Sequence, residues 1–454
     1  MVKRRIFVLT LAASGHLNPM CGLVHELCKQ TNIECFFYNG GKFKETIEKT
    51  GASFCLYPNV DALVSKYSEA PKLTDKDGHT KFFANFMQFQ FEVSYECVPQ
   101  LVKDVETHKP DLIIYDPIFY PAKFLIEILK KKSIPMKYVE FFPNFVFDEE
   151  MMKTMPGANE RSFSQLWILI KSFYKQYGIS RHFNLSVYNP FTLMAPVKEH
   201  MKIVAVFPEL HPRVNSYDNK HNFVGQCVSE EIRNQDFQSD DQLKSILDLF
   251  PIRDQTNQSN NDLKLIYMSL GTIFHSNSFI FDHFIEAIRS FDKNPGHKFK
   301  SSQLHAILSV GDKSMKAFEK RISTGQLSLP QNILIREKVP QLEILKRAHL
   351  FITHSGMNSI SETIKYAVPI ISIPLEGDQQ INGIRSCDEL ELGIRLEALK
   401  ISSDVFCDAI ERVLTDEKYT KNIKQMSNTS AKYNGRVEAT KLIMDYLNQD
   451  NETK

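Results

Sequence analysis

His16 and Asp116 are the first residues whose types and positions suit catalysis. His16 follows Gly15 between a predicted first strand and a predicted first helix, and Asp116 ends a second strand, DLIIYD (111–116). Ligands of open α/β sheets bind at the carboxyl ends of the strands, so both side chains should face one crevice. A carboxylate bonded to one ring nitrogen leaves the other nitrogen as a base. The pair predicts a general base, and a solvent-exposed histidine at a helix start is the alternative.

A second polar set surrounds the strand–helix turn in LFITHSGMNSISE (350–362). An apolar strand runs into His354 and Gly356, and a helix begins just after them. Backbone amides and the dipole at a helix N-terminus favour anions, and glycine lets a phosphate approach closely. Ser359 lies in the first turn, and Glu362 lies three residues further on the same face. This arrangement suits a diphosphate and a ribose diol, and an ordinary capped helix start is the alternative.

Two further turns in the same half follow apolar strands. Gly271 and Thr272 come after LKLIYMS (263–269), where their amides could reach the same phosphates. Asp378 and Gln379 come after IISIPLEG (370–377) and carry polar groups suited to sugar hydroxyls. Each turn by itself is weak evidence of a functional site. Together with the turn around His354, the two turns predict a nucleotide-sugar site.

These turns depend on the alternation of short apolar runs with amphipathic segments of helix length. In the first half, IFVLTLA, IECFFY, DLIIYD and PMKYVEFF are separated by such segments, and the same rhythm restarts after residue 262. The alternation is typical of βαβ units with a parallel sheet. A polar stretch at 254–262 separates the halves. We therefore predict two α/β domains with a boundary near Gly225.

Composition excludes several classes of protein. A chain of 454 residues exceeds a single core, and 43% hydrophobic and 24% charged residues are typical of a globular protein. A net charge of +1 leaves no electrostatic footprint for nucleic acid or an anionic membrane. The eight cysteines form no C-x-x-C pair and are interpreted as reduced core residues of a cytoplasmic protein. No apolar run reaches the roughly 18 residues of a membrane span.

The N-terminus imitates a signal peptide. Lys3, Arg4 and Arg5 precede an apolar run from Ile6 to Ala13 and then small residues. Cleavage there would remove the strand that precedes the first helix, and the turn GHLNP (15–19) suits a strand's carboxyl end. We therefore predict a strand at this position.

The order of these motifs resembles the UDP-glycosyltransferase family, which includes plant natural-product and bacterial macrolide glycosyltransferases. The resemblance covers almost the whole chain, and HSGMNSISE (354–362) matches the family's H-x-G-x-N-S-x-x-E pattern at every position. The other matching motifs are GHLNP (15–19), YDP (115–117), VG (224–225), SLGT (269–272), VPQLEIL (339–345) and DQQIN (378–382).

The resemblance implies a GT-B architecture, with two Rossmann-like, doubly wound domains facing a central cleft. Residues 1–221 would bind the acceptor and residues 222–430 the donor, and a last helix at about 431–448 would pack back onto the first domain. It implies that His16 is the general base, oriented by Asp116. The donor site would contain Gly271, Thr272, Val339, His354, Gly356, Asn358, Ser359, Glu362, Asp378 and Gln379, with the ribose on Glu362 and the sugar on Asp378 and Gln379.

One position departs from the family. Before VPQ (339–341) the family usually carries a Trp or another aromatic residue that stacks on uracil, and this chain has Lys338. A lysine offers no π-face, so the departure predicts weaker donor binding or another base preference, and Arg336 could stack instead.

The expected activity is inverting transfer of a hexose from a UDP-sugar, UDP-glucose above all, to a hydroxyl of a small lipophilic acceptor. No cofactor or metal is expected, and the triplet DKD (75–77) is interpreted as a chance match to a metal-binding D-x-D motif. Phenylalanines concentrated in the first domain favour an apolar acceptor pocket. Two alternatives stay open: a UDP-sugar epimerase, which needs no acceptor, and a non-catalytic nucleotide-sugar binding protein. Retention of His16 and Asp116 disfavours the second.

Overall fold

The computed structural model describes residues 3–67, 78–148, 150–151, 163–186, 193, 195–233, 239–253, 262–271 and 278–449. These residues divide into two compact units. The first contains Met1–Glu69, His79–Ile232 and the segment from Lys432 onward, and the second contains Ala70–Gly78 and Arg233–Ala431. None of the helices in the described part of the chain has the length and apolar character needed to span a bilayer.

Seven parallel strands form the sheet of the first unit among the described residues, in the order β3-β2-β1-β4-β5-β6-β7. The strands are β1 (Arg4–Leu9), β2 (Ile33–Asn39), β3 (Ser53–Leu56), β4 (Leu112–Tyr115), β5 (Lys137–Phe142), β6 (Met201–Val204) and β7 (His221–Phe223). The helices are α1 (Ser14–Cys28), α2 (Lys44–Glu48), α3 (Val60–Tyr67), α4 (Gly78–His108), α5 (Tyr120–Lys131), α6 (Phe163–His182) and α7 (Glu230–Arg233), the last of which ends at the unit boundary.

Strand β1 lies inside this sheet, between β2 and β4, which confirms the predicted strand. Its side chains alternate between two cores, as the pleat requires. Ile6 and Val8 pack with residues of α1 on one face, and Phe7 and Leu9 pack with residues of α4 and α5 on the other. The sheet is therefore covered by helices on both faces, which is why its strands read as continuous apolar runs.

The boundary of the first unit lies beyond the position predicted from the sequence. Strand β7 starts at His221 and pairs with β6, so the chain from residue 222 still belongs to the first sheet. The unit continues to Ile232, whose side chain is buried in the core with α1. A pairing between strands is a long-range contact, and the polar stretch at 254–262 did not indicate it.

Six parallel strands form the second sheet among the described residues, in the order β10-β9-β8-β11-β12-β13. The strands are β8 (Lys264–Ser269), β9 (Leu304–Ser309), β10 (Ile333–Arg336), β11 (Leu350–Thr353), β12 (Ile370–Ser372) and β13 (Gly393–Arg395). The helices are α8 (Asp241–Asp248), α9 (Ser278–Ser290), α10 (Asp312–Ser323), α11 (Gln341–Leu345), α12 (Met357–Lys365), α13 (Gln379–Gly383), α14 (Ser403–Thr415) and α15 (Glu417–Ser430).

The last helix, α16 (Gly435–Asn448), belongs to the first unit. Its buried residues Ala439, Ile443 and Leu447 lie in the same core as α1. A Cβ on Gly435 would meet the carbonyl oxygen of Gly225 at 2.3 Å, so the helix start requires glycine for this close approach.

Candidate active site

His16 and Asp116 are in direct contact in the first unit. His16 Nδ1 lies 2.7 Å from Asp116 Oδ2, and the side chains are 18% and 1% exposed, respectively. Helix α1 begins at Ser14, because the carbonyl of Ala13 already accepts the amides of His16 and Leu17. His16 therefore lies within the first helical turn and not, as the sequence predicted, in a turn before the helix.

The carboxylate of Asp116 is held by its surroundings. Its Oδ2 accepts a 3.5 Å hydrogen bond from the buried Thr10 hydroxyl, and its Oδ1 accepts one of 3.1 Å from the amide of Ile118. The backbone amide of Asp116 donates to the carbonyl of Leu9, which ties the ends of β4 and β1 together. This support fixes the carboxylate, so that it can orient the His16 ring and select its tautomer.

Two neighbours of this pair bear on its role. A Cβ built on Gly15 would meet no atom within 4 Å beyond its chain neighbours and its own helix backbone. Asp111 lies at the other end of β4, where its carboxylate contacts Arg4 Nη1 and accepts the amide of Arg5, both at 2.8 Å. It takes no part in the pair with His16, as expected.

In the second unit, Gly271, His354 and Gly356 come together at the ends of β8 and β11. A Cβ on Gly271 would lie 2.6 Å from His354 Nε2, and a Cβ on Gly356 would lie 2.7 Å from the same atom. Gly271 also has a φ of +79°, which L side chains rarely adopt. A side chain at either position would therefore displace the imidazole, which packs directly on the backbone of both glycines.

Burial lowers the pKa of His354 to about 4, against a smaller opposing effect of the Ser269 backbone. At neutral pH the ring is therefore uncharged and carries a single N–H group, for which the Ser269 backbone is one acceptor. A bound diphosphate would favour the protonated form and raise this pKa.

The turn after His354 is strained. Ser355 has a φ of +66°, a left-handed conformation that costs a non-glycine residue about 1–3 kcal/mol and is concentrated at functional sites. Its hydroxyl lies 2.5 Å from that of Ser372, and its carbonyl accepts a hydrogen bond from Asn382. Helix α12 then starts with Gly356 as its N-cap, which has no side chain to occupy the first free amides.

Ser359 and Asn358 lie in the first turn of α12, where the sequence predicted them, and Glu362 follows one turn later. Glu362 is wholly buried, and its Oε2 accepts a 2.5 Å hydrogen bond from Gln341 Nε2. Its Oε1 forms an ion pair with Arg233. Gln341 and Arg233 were not predicted to belong to the site. The VPQ motif was a signal for Gln341, but no local pattern marked Arg233.

Asp378 and Gln379 are tied to the same loops. Asp378 Oδ2 accepts a 2.8 Å hydrogen bond from Asn382, which also donates to the carbonyl of Ser355 beside His354. Gln379 Oε1 accepts the amides of Leu375 and Glu376. The side-chain oxygen of Gln379 therefore holds the loop, and the side-chain NH₂ group is the part suited to a ligand.

The segment before α11 carries no aromatic side chain. Lys338 has a 75% exposed side chain that lies 3.6 Å from Glu337, and Val339 is buried. Arg336 donates to both carboxylate oxygens of Asp240, the N-cap of α8, and to Gln242. Its guanidinium is thus engaged elsewhere. Thr272 and the triplet DKD (75–77) lie outside the described residues.

Comparisons with known proteins show which chains this one is similar to. Residues 309–432 match the family of UDP-glucoronosyl and UDP-glucosyl transferases. An uncharacterized UDP-glucosyltransferase of Bacillus subtilis, YojK, is 24% identical over 99% of this chain and 98% of its own length. The oleandomycin glycosyltransferase of Streptomyces antibioticus is 23% identical over 96% of this chain and 90% of its own.

The fold is also shared with a solved structure. The glycotransferase of kitacinnamycin superposes with a TM-score of 0.70 at 20% identity, over 98% of this chain and 99% of that one. This likeness shows the GT-B fold, and the sequence comparisons add the activity class. The chain is therefore a glycosyltransferase of GT-B fold that matches the UDP-glycosyltransferase family over residues 309–432 and is similar to UDP-glucosyltransferases over almost its whole length.

Proposed function

We propose that this glycosyltransferase moves a hexose from a UDP-sugar, preferably UDP-glucose, to a hydroxyl of a small lipophilic acceptor, with inversion at the anomeric carbon. The observation that carries the proposal is the 2.7 Å contact between His16 Nδ1 and the buried Asp116 carboxylate. Such a contact holds the proton on Nδ1 and leaves Nε2 as the base.

In the proposed step, His16 Nε2 accepts the proton of the acceptor hydroxyl. The acceptor oxygen forms a bond to the anomeric carbon from the face opposite the diphosphate. The bond between that carbon and the diphosphate oxygen breaks, and its electron pair leaves with UDP. Asp116 stabilises the imidazolium that His16 becomes.

The departing diphosphate needs positive potential, which the second unit can supply. The first amides of α12 and its dipole favour an anion there, and Ser359 lies in the same turn. His354 would donate one hydrogen bond in its protonated form, which a bound diphosphate favours. In this proposal no metal is required, because these donors meet the charge that develops on the leaving group.

The acceptor class is inferred from the first unit. Most of its clustered phenylalanines are core residues, but Phe82, Phe83, Phe86 and Phe147 remain partly exposed. Three of them lie on α4. One relative is named an oleandomycin glycosyltransferase, which supports a non-sugar acceptor. These observations favour a lipophilic acceptor.

The test measures donor consumption with and without a panel of lipophilic alcohols and phenols, for the native protein and for His16→Ala. We expect turnover only with an acceptor, a product of inverted configuration by NMR, and a loss of roughly 10²–10⁴-fold in kcat for His16→Ala. UDP affinity should stay the same. His25→Ala is the matched control, since His25 lies on the same helix and pairs with Glu231.

Other outcomes would reject the proposal. Donor consumption without an acceptor indicates an epimerase, and binding of the UDP-sugar without any turnover indicates a binding protein. Near-normal turnover of folded His16→Ala would show that the base lies elsewhere.

A further inference from the structure

Glu362 is wholly buried, and both of its carboxylate oxygens are engaged by protein groups. Oε2 accepts a hydrogen bond from Gln341 and Oε1 pairs with Arg233. A ribose diol can bind a carboxylate only if its two hydroxyl groups reach those oxygens. Because Glu362 has no exposed surface, a diol can reach its carboxylate only if one of these two covering side chains moves.

Gln341 is the fixed member of the pair. Its Oε1 accepts a 3.0 Å hydrogen bond from the hydroxyl of Tyr267, while its Nε2 donates to Glu362. Tyr267 is buried and stacks on Phe351 with ring centroids 4.7 Å apart. Moving Gln341 would break both bonds and leave buried polar groups unpaired, which is costly.

Arg233 is the movable member. It is the last residue of the four-residue helix α7, and its side chain is 19% exposed, whereas Glu362 is not exposed at all. A long, partly exposed side chain at the end of a short helix can change rotamer without disturbing a sheet or a long helix. The Nη1 atom of Arg233 is buried against Glu362, but a long side chain that is 19% exposed can turn its guanidinium towards water.

We propose that Arg233 is a specificity-determining residue of the donor site, which covers Glu362 and must leave it before a ribose diol can bind. The inference rests on the proposed function, because it takes Glu362 as the carboxylate that binds ribose. Arg233 thus competes with the diol for one acceptor. A nucleotide has to offer both hydroxyl groups to displace it, and a 2′-deoxynucleotide offers only one.

The competition has a measurable consequence. If Glu362 is uncovered for only a fraction of the time, the apparent dissociation constant of a ribonucleotide exceeds the intrinsic one by the inverse of that fraction. Removing the guanidinium should therefore tighten UDP binding. Binding of 2′-deoxy-UDP should gain less, because it makes fewer of the uncovered contacts.

The experiment measures the dissociation constants of UDP and 2′-deoxy-UDP by calorimetry on the full chain. For Arg233→Met we expect UDP binding to tighten about five- to tenfold, with a rise in the preference for UDP over 2′-deoxy-UDP. Arg253→Met is the matched control, because Arg253 is another largely buried arginine of this unit, bonded to the carbonyl of Ala348 at the opposite end of β11. The control should leave the preference unchanged.

A purely structural role for Arg233 predicts a different result, in which both nucleotides weaken equally or neither changes, and either result overturns the inference. If Arg233→Met fails to fold, Arg233→Lys keeps a positive charge but loses the planar guanidinium, and should give a smaller rise in the same preference. An unchanged preference in folded Arg233→Lys would then overturn the inference. If the native protein binds neither nucleotide, the proposed function fails as well, whereas native binding with unchanged variants rejects only the role of Arg233.

Discussion

Lys338 occupies the position where related enzymes usually carry an aromatic residue, and its side chain is 75% exposed. Lys338→Trp should restore a flat ring to the face of the base. Aromatic pairing contributes about 0.5–1.5 kcal/mol beyond area burial, so UDP affinity should rise several-fold. Calorimetry with UDP and other nucleoside diphosphates measures both the gain and the base preference.

Lys316→Trp is a suitable control, because Lys316 has a 73% exposed side chain in the same unit and pairs with Asp312. It should leave UDP affinity unchanged. A folded Lys338→Trp variant that loses UDP binding would show that Lys338 itself contacts the donor, or that this segment does not hold the base.

His200 is a buried histidine outside the proposed mechanism. Tyr115 donates its hydroxyl proton to Glu140, so at its 2.8 Å contact with His200 Nδ1 the ring must donate. Nε2 then carries the lone pair, and it has no hydrogen-bond partner among the described residues. Burial lowers the pKa of His200 to about 3, with smaller effects of Lys130, Lys202 and Lys123.

This shift predicts a loss of stability in acid. The pKa of His200 is lower in the folded than in the unfolded chain, so its contribution is full above about pH 6.5 and falls as the pH drops towards 3. At pH 5 the loss is about 2 kcal/mol. Hydrogen exchange in the first unit between pH 7 and pH 5 measures it.

The variant His200→Asn keeps a donor near the position of Nδ1 and removes the titration. It should flatten the pH dependence of the first unit. An equally steep dependence in a folded His200→Asn variant would assign the acid sensitivity to other groups.

At the scale of elements, the proposed donor site consists of strand–turn–helix units, and its turns follow the neighbouring strands β8, β11 and β12. Gly356→Ala tests this arrangement, because Gly356 has an ordinary φ of −60° and the new Cβ would lie only 2.7 Å from His354 Nε2. The imidazole must then shift. We expect UDP binding to weaken by about 1.5–3 kcal/mol, the value of a hydrogen bond to a charged group, with little loss of stability.

Gly325→Ala separates backbone strain from collision. Gly325 has a φ of +70° like Gly271, but no atom lies within 4 Å of its virtual Cβ. The Gly325→Ala variant should lose about 1–2 kcal/mol of stability and keep its nucleotide affinity. Gly271→Ala should lose both stability and nucleotide affinity. Unchanged UDP affinity in Gly356→Ala and Gly271→Ala would place the diphosphate away from His354.

At the scale of the whole molecule, the end of the chain returns to the first unit. Ile443 of α16 is fully buried in the core that also contains α1. Ile443→Ala should destabilise the first unit by about 2–5 kcal/mol, the usual cost of such a cavity. Hydrogen exchange should show faster opening of α1, although more than 400 residues separate the two helices in the sequence.

The matched control is Ile410→Ala on α14, which removes the same atoms from the core of the second unit. It should accelerate exchange in the second unit and leave α1 protected. If Ile443→Ala instead loosens only the second unit, the assignment of α16 to the first unit is wrong.

The sequence by itself determined what depends on local pattern. Apolar runs of strand length alternating with amphipathic segments predict parallel α/β units, and this prediction is confirmed. The contact of His16 with Asp116 was also predictable across 100 positions, because each residue follows a strand and the two strands, β1 and β4, are neighbours in the sheet. Parallel strands place their carboxyl ends at one edge of the sheet. The strand order alone therefore brings residues that follow neighbouring strands close together.

Only the tertiary structure decided what depends on side-chain packing between distant segments. It showed that Glu362 is covered by Gln341 and Arg233, and that Arg336 is held by Asp240. The pairing of β7 with β6 likewise moved the unit boundary to Ile232. Periodicity and motif spacing describe neighbours along the chain. They carry no information about which buried carboxylate a remote arginine reaches, because that depends on how the elements pack.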